Sequence, residues 1–276
     1  MIPVRKRWGQ HFLVSPATAE RIADAARVGR ADTVVEVGPG EGALTRPLLA
    51  RAGRLLAIEI DPMRADALSA ELAGDDRVRV LSGDALDKPF GERLAEAGWP
   101  GPAVLCANLP YNVATPILLA AIEEPSAIAR SVVTVQKEVA QRFAARAGSG
   151  AYGYLSVRAA AFADARILFD IPPGAFRPRP KVVSSVLELV PRARPLDPAV
   201  RDRAVALASL GFRSRRKTLA NALASAGARA AWEQLLETIG KGRRARAEEL
   251  SLEDFVALGR ASLDAPERSG VGAARD

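Results

Sequence analysis

Asn108-Leu109-Pro110-Tyr111, followed at once by Asn112-Val113-Ala114-Thr115-Pro116, is the stretch whose residue types could carry chemistry. The Asn108 carboxamide can accept and donate a hydrogen bond at the same time. Pro110 has no backbone donor and biases Leu109 toward extended geometry, which tends to leave nearby carbonyls unpaired. Tyr111 adds a flat face on which a base can stack. Acceptors around an amine, next to a stacking plate, suit a planar exocyclic amino group such as N6 of adenine. The same residues also describe a plain strand-to-helix turn with a buried tyrosine, and the tetrapeptide alone does not separate the two readings.

The elements that must position this stretch read as an open α/β sheet. Ala103-Val104-Leu105-Cys106-Ala107, just before Asn108, is a short apolar run bounded by Gly101-Pro102 and reads as a buried strand. Upstream, Thr33 to Val37 is apolar and β-branched and runs into Gly38-Pro39-Gly40-Glu41-Gly42, with a helix pattern from Ala43 to about Ala52. Strand–glycine loop–helix is how a doubly wound α/β domain opens. Further strands are expected at Arg54 to Ile60, Val78 to Leu81, Ser131 to Val135 and Val182 to Val190. Ser15-Pro16 caps a helix to about Val28, and another helix starts at Pro62. After Pro191 only helices are expected, at about 198–210, 217–223, 229–239 and 252–260. The fold class is therefore α/β, a doubly wound Rossmann-like sheet over 1–190, with a small all-helical C-terminal domain over 191–263 and a flexible tail over 264–276.

The glycine loop alone does not name a ligand, but the acids around it narrow the choice. Diphosphate cofactors bind where backbone N–H groups and a helix dipole favour negative charge. Here Glu36 precedes the loop and Glu41 lies inside it, so a diphosphate would meet carboxylates. Glu59 ends the second strand, at the spacing where an acid accepts ribose hydroxyls, and Asp84 follows the third, placed to accept from an adenine amino group. Each acid could singly be a cap or a solvated loop residue. Acids at three successive strand ends fit a cationic cofactor without phosphates, which is S-adenosylmethionine.

Composition excludes several classes. One cysteine rules out an intramolecular disulfide, and one histidine leaves a Cys/His zinc cluster without ligands. A serine–histidine hydrolase would depend on His11, which has no evident acid partner. Cys106 reads as a packed, inert thiol. No apolar run approaches the ~20 residues of a membrane span, and Met1 to Arg7 lacks the apolar stretch of a secretory signal. A net charge of +7 and a pI near 10.0 put a polyanion, nucleic acid first, at the head of the partner list. The expectation is a cytoplasmic monomer.

Six motifs carry a resemblance: Gly9-Gln10-His11-Phe12-Leu13, Glu36-Val37-Gly38-Pro39-Gly40, Asn108 to Tyr111, Gln136-Lys137-Glu138-Val139, Tyr152-Gly153-Tyr154-Leu155-Ser156, and Pro172 to Val182. In that order, over roughly residues 5–260, the chain resembles the ribosomal RNA adenine N6-dimethyltransferases, and within them the branch acting on bacterial small-subunit 16S rRNA. The resemblance implies transfer of two methyl groups to N6 of each of two adjacent adenosines in the 3′-terminal hairpin of 16S rRNA, with a part in subunit biogenesis. It implies a cofactor held by His11, Leu13, Gly38, Gly40, Glu59, Asp84 and Asn108. It implies further that Asn108 and a carbonyl near Pro110 accept from the target amine, that Tyr111 stacks on the base, and that Phe176 walls its other face. Arg5, Lys6 and Arg7, with Arg213, Arg215, Arg216 and Lys217, are then candidate RNA contacts, which Arg243, Arg244 and Arg246 extend. The rivals are a resistance-type enzyme acting on 23S rRNA, a DNA adenine enzyme and a subunit-assembly factor. Leu109 and the loop Phe169 to Lys181 match the small-subunit branch better.

Overall fold

The computed structural model describes residues 11–214 and 216–264. The expectations placed on Arg5, Lys6, Arg7, Arg215 and the tail beyond Asp264 lie outside the described residues. The strands are β1 (Phe12–Leu13), β2 (Thr33–Val37), β3 (Arg54–Glu59), β4 (Val78–Ser82), β5 (Ala103–Asn108), β6 (Ile128–Gln136), β7 (Ala163–Ile171), β8 (Phe176–Arg177) and β9 (Ser184–Pro191). The helices are α1 (Pro16–Ala26), α2 (Thr45–Arg51), α3 (Pro62–Glu71), α4 (Phe90–Glu96), α5 (Ala114–Glu123), α6 (Lys137–Phe143), α7 (Tyr154–Phe162), α8 (Pro198–Phe212), α9 (Leu219–Ala222), α10 (Arg229–Thr238) and α11 (Leu252–Asp264).

Seven strands form one sheet in the order β4-β3-β2-β5-β6-β9-β7. The pairings β2–β3, β3–β4, β2–β5 and β5–β6 are parallel, and β9 runs antiparallel between β6 and β7. Parallel strands covered on both faces need apolar residues throughout rather than in alternation. Val34, Val35 and Val37 of β2, Leu55, Leu56 and Ile58 of β3, and Val104 to Ala107 of β5 are accordingly all buried. After β2 the chain runs outward to β3 and β4 and then returns to β5 on the other side of β2. The order reverses between β2 and β5, and a crevice opens there at the carboxyl ends of the strands. A separate two-stranded ribbon pairs β1 with β8, Leu13 opposite Phe176.

Capping chemistry sets the helix starts. Ser15 Oγ accepts from the Thr18 N–H at 3.3 Å with Pro16 in the first turn, and Asp61 Oδ1 accepts from the Met63 N–H at 3.2 Å with Pro62 behind it. Asp197 repeats the device before Pro198.

The chain divides into two compact units, one of residues 11–144 with Phe162–Ala193, the other of Ala145–Ala161 with 194–264. This differs from a single cut after residue 190, because Ala145–Ala161 groups with the C-terminal helices. The reason is local packing. The Tyr152 hydroxyl donates to the Leu250 carbonyl at 2.8 Å, the Gly148 N–H donates to the Glu248 carbonyl at 3.0 Å, and the Tyr152 ring meets Phe212 edge-on at 5.8 Å.

Candidate active site

The glycine loop after β2 makes the floor of the crevice. Gly38 and Gly40 have φ of +69° and +58°, the left-handed region that L side chains avoid. At Gly40 a Cβ would also lie 2.8 Å from two carbons of the Phe12 ring, so the aromatic packs directly on the loop backbone. The Gly40 N–H donates to Glu59 Oε2 at 3.0 Å, and the Asp61 N–H donates to Glu59 Oε1 at 3.0 Å. Burial pushes the Glu59 carboxyl above the usual range, and these two N–H bonds oppose the rise.

At the end of β5, Asn108 Nδ2 donates to the His11 carbonyl at 2.9 Å, while Asn108 Oδ1 is buried without a hydrogen-bond partner. His11 Nδ1 lies 2.6 Å from the Pro178 carbonyl. Its ring stacks on Tyr111, with centroids 5.1 Å apart and planes at 28°. The Tyr111 hydroxyl shares a 2.5 Å hydrogen bond with Ser184 Oγ.

A cleft of about 660 Å³, including the part open to solvent, is lined by His11, Gly38, Glu59, Asp84, Asn108 and Pro110 among others. Six of the expected site residues therefore meet in one place. The others do not. Leu13 and Phe176 are packed in the hydrophobic core, and Phe176 is 1% exposed, so it has no free face to wall a base. They are held inward because β1 and β8 pair residue against residue. Gly40 acts beneath the cleft through its N–H. Tyr111 stands beside it, with one ring face covered by His11. Of the carbonyls near Pro110 expected to accept from the amine, that of Pro110 itself accepts from the Val113 N–H at 3.1 Å. Asp84 Oδ1 turns back to the Leu86 N–H at 2.9 Å.

Glu36 also departs from expectation. It is buried inside the sheet, 1% exposed, and its carboxyl is pushed up to about 8 chiefly by burial. The nearby Thr45 hydroxyl offsets part of that rise, although neither Glu36 Oε2 nor Thr45 Oγ1 reaches a hydrogen bond of ordinary geometry. At neutral pH Glu36 is mostly protonated, so the acids facing the cleft are Glu59 and Asp84. Sequence reasoning missed the apolar lining from Ile58, Ile60, Ala85, Val113 and Ile117, as well as Phe12. The alternation of strand-end acids with isoleucines in Ile58-Glu59-Ile60 was the available signal. Cys106 is buried, and burial raises its thiol pKa, as an inert packed cysteine requires. In the helical unit Arg213, Arg216, Lys217, Arg244 and Arg246 are exposed, whereas Arg243 is paired to Glu237 at 2.6 Å.

A doubly wound sheet with its last strand antiparallel, a glycine loop after the first strand of the sheet and acids at the next strand ends together define a Rossmann-like methyltransferase fold. A dimethyladenosine transferase from Plasmodium falciparum shares that fold, with a TM-score of 0.74 at 23% identity over 90% of this chain and 96% of its own. The 23S rRNA methyltransferase ErmE gives a TM-score of 0.70 at 28% identity, over 90% of this chain and 98% of its own. A ribosomal RNA small subunit methyltransferase A from Methylococcus capsulatus is 42% identical over 93% of this chain and 96% of its own. The family model for ribosomal RNA adenine dimethylase matches residues 2–260. The chain belongs to the ribosomal RNA adenine dimethylase family.

Proposed function

We propose that this chain transfers methyl groups from S-adenosylmethionine to N6 of two adjacent adenosines in the 3′-terminal hairpin of 16S rRNA, acting on the small ribosomal subunit as part of its biogenesis. The observation that carries the reading is the partnerless Oδ1 of Asn108, buried at the edge of the cleft. A buried amide oxygen with no donor costs on the order of 1–3 kcal/mol. The N–H of an exocyclic amine removes that cost.

The residues present fit the cofactor. Gly38 and Gly40 keep side chains off the loop where a ligand must approach. The Glu59 carboxylate has lone pairs beyond the two used by backbone N–H groups, enough for ribose hydroxyls. Glu59 and Asp84 would repel a diphosphate and tolerate a cation. Ile58, Ile60 and Ala85 offer apolar contact to a purine. When bound, S-adenosylmethionine supplies an electrophilic methyl group on a cationic sulfur.

The chain's own part is positioning. Asn108 Oδ1 accepts one N6 proton and so turns the nitrogen lone pair into the cleft. The amide is kept in that orientation because Nδ2 is tied to the His11 carbonyl. Tyr111, clamped between Ser184 and His11, is a stacking plate whose plane is fixed before the base arrives. Such orientation and a dry site supply much of the acceleration, so no strong general base is needed. The proton leaves after attack, when the nitrogen is cationic and acidic. The target adenosine has to be unstacked to enter. A monomer in the cytoplasm, where ribosomal subunits are its substrate, is the accompanying reading.

The small-subunit branch is favoured over the 23S branch by the 42% identity to the Methylococcus capsulatus relative against 28% to ErmE. The test is methyl transfer from labelled S-adenosylmethionine to unmethylated small subunits, with unmethylated large-subunit rRNA in parallel and mass mapping of the product. Dimethyladenosine at two adjacent small-subunit positions is the expected result. Label confined to large-subunit RNA would overturn the choice of substrate.

A further inference from the structure

Arg64 is among the largest side chains fully buried in the molecule, its side chain 1% exposed, although it sits in the first turn of a surface helix. Burying a guanidinium is costly unless charges and hydrogen bonds surround it. Three of its described neighbours belong to the cleft floor. Nη1 donates to Glu41 Oε1 of the glycine loop at 3.2 Å. Nε lies 3.8 Å from Asp61 Oδ2, on the residue that caps α3 and whose N–H holds Glu59. The guanidinium carbon sits 4.2 Å from the centre of the Phe12 ring, within range of a cation–π contact. The same ring also packs on the Gly40 backbone.

We propose that Arg64 is a positioning residue for the cofactor site, its guanidinium joining the glycine loop, the α3 cap and the Phe12 ring into one support beneath the Glu59 carboxylate. The inference rests on the reading that Glu59 holds the cofactor. Arg64 acts in two ways. By geometry it keeps Phe12 over Gly40, and with it the His11 carbonyl that orients Asn108. By charge it favours the ionised form of Glu59. The groups facing Glu59 are Arg64 and Asp61 at the start of α3, Glu36 in β2, and the N–H groups of Gly40 and Asp61. Burial raises the Glu59 carboxyl, as does Asp61, while the two N–H groups and Arg64 lower it. Removing the guanidinium leaves the rise less opposed, so the carboxylate needed for the ribose would be lost at a higher pH than in the wild type.

The experiment measures calorimetric affinity for S-adenosylhomocysteine from pH 5.5 to 8.5 in the full chain, with melting temperature alongside. Arg64→Met is expected to weaken binding more at pH 5.5 than at pH 8.5, because loss of the nearby cation leaves the burial-raised Glu59 carboxyl less opposed. The loss is expected mainly in KM for the cofactor, with a smaller fall in kcat through the His11 carbonyl that orients Asn108. Arg64→Lys keeps the charge but cannot stack flat on Phe12 while reaching both Glu41 and Asp61. It should retain the wild-type pH profile with affinity reduced roughly threefold. Phe12→Leu should weaken binding equally at every pH. A lowered melting temperature in Arg64→Met with an unchanged pH profile would overturn the inference, leaving Arg64 only a structural role. Should Arg64→Met not fold, unaltered affinity in Arg64→Lys would do the same. Glu59→Gln separates the two levels of the argument. If it binds as tightly as wild type, the assignment of Glu59 fails and the inference with it; if it binds weakly while Arg64→Met does not, the inference alone fails.

Discussion

Asn108 and Glu36 show how one sheet uses buried polarity in opposite ways. Asn108 keeps an unpaired acceptor at the cleft, a cost that substrate can relieve, whereas Glu36 keeps a carboxyl inside the sheet that no ligand reaches. Asn108→Ala removes the acceptor and the tie to His11 together. It should lower kcat by roughly two orders of magnitude, as misplacement of a reacting group does, with a much smaller change in S-adenosylhomocysteine affinity. Single-turnover methylation and calorimetry would separate the two. Ser184→Ala leaves the half-buried Tyr111 hydroxyl without its partner and should cost about 1 kcal/mol of stability, read from urea melts, with a modest fall in kcat and unchanged cofactor affinity. For Glu36 the sign follows from the folded value of about 8 against an ordinary 4.5. The folded state holds the proton more tightly, so this contribution to stability is fully present below about 4.5 and is lost as pH rises to about 8. Glu36→Gln, neutral throughout, should be more stable than wild type at pH 7, by up to about 3 kcal/mol. Its melting temperature should also fall less between pH 5 and 8. A wild-type slope retained in Glu36→Gln would mean that another group carries it.

At the scale of elements, the loop from Gly38 to Gly42 invites a comparison between two glycines with similar dihedrals. A Cβ on Gly38 would meet Pro110 at 3.5 Å, an ordinary contact, while one on Gly40 would meet the Phe12 ring at 2.8 Å. In the unliganded chain Gly38→Ala should therefore cost only the left-handed strain of about 1–2 kcal/mol, with cofactor affinity lowered because the added Cβ stands at the cleft. Gly40→Ala adds a clash that lifts Phe12 from the loop, and should lose more stability and most of the cofactor affinity. Urea melts with S-adenosylhomocysteine titrations check both. The same elements explain what the sequence could and could not reveal. β2, β3 and β5 were legible because central parallel strands are continuously apolar, and the strand-end positions of Glu59 and Asn108 followed from that. β7 was not read as a strand. It lies at the sheet edge, carries Asp164, Arg166 and Asp170, and has an irregularity between Ile167 and Phe169 that breaks a period of two. The burial of Phe176, the His11–Tyr111 stack and the Arg64 support depend on pairings between remote segments, such as Asn108 with a carbonyl 97 residues earlier. Local pattern carries no information about such contacts.

At the scale of the whole molecule, the charge of +7 separates two kinds of binding that the same chain must perform. Cofactor recognition uses buried or half-buried groups and should be nearly independent of salt, because charges removed from solvent are weakly screened. RNA recognition through exposed cations releases counterions, and its affinity should fall linearly on a log–log plot against salt concentration. Arg213, Arg216 and Lys217 are exposed within the helical unit. If these three residues neutralise phosphates, replacing them all with alanine should reduce the slope by about 2–3, at roughly 0.7–0.9 per contact. S-adenosylhomocysteine affinity should stay unchanged. Arg243→Ala is the internal control, since its guanidinium is engaged by Glu237 at 2.6 Å and should contribute little to the slope. Filter binding of the 3′-terminal 16S hairpin between 50 and 200 mM salt measures both. An unchanged slope in the triple variant would remove this cluster from the RNA contact and assign the salt dependence to other cations of the chain.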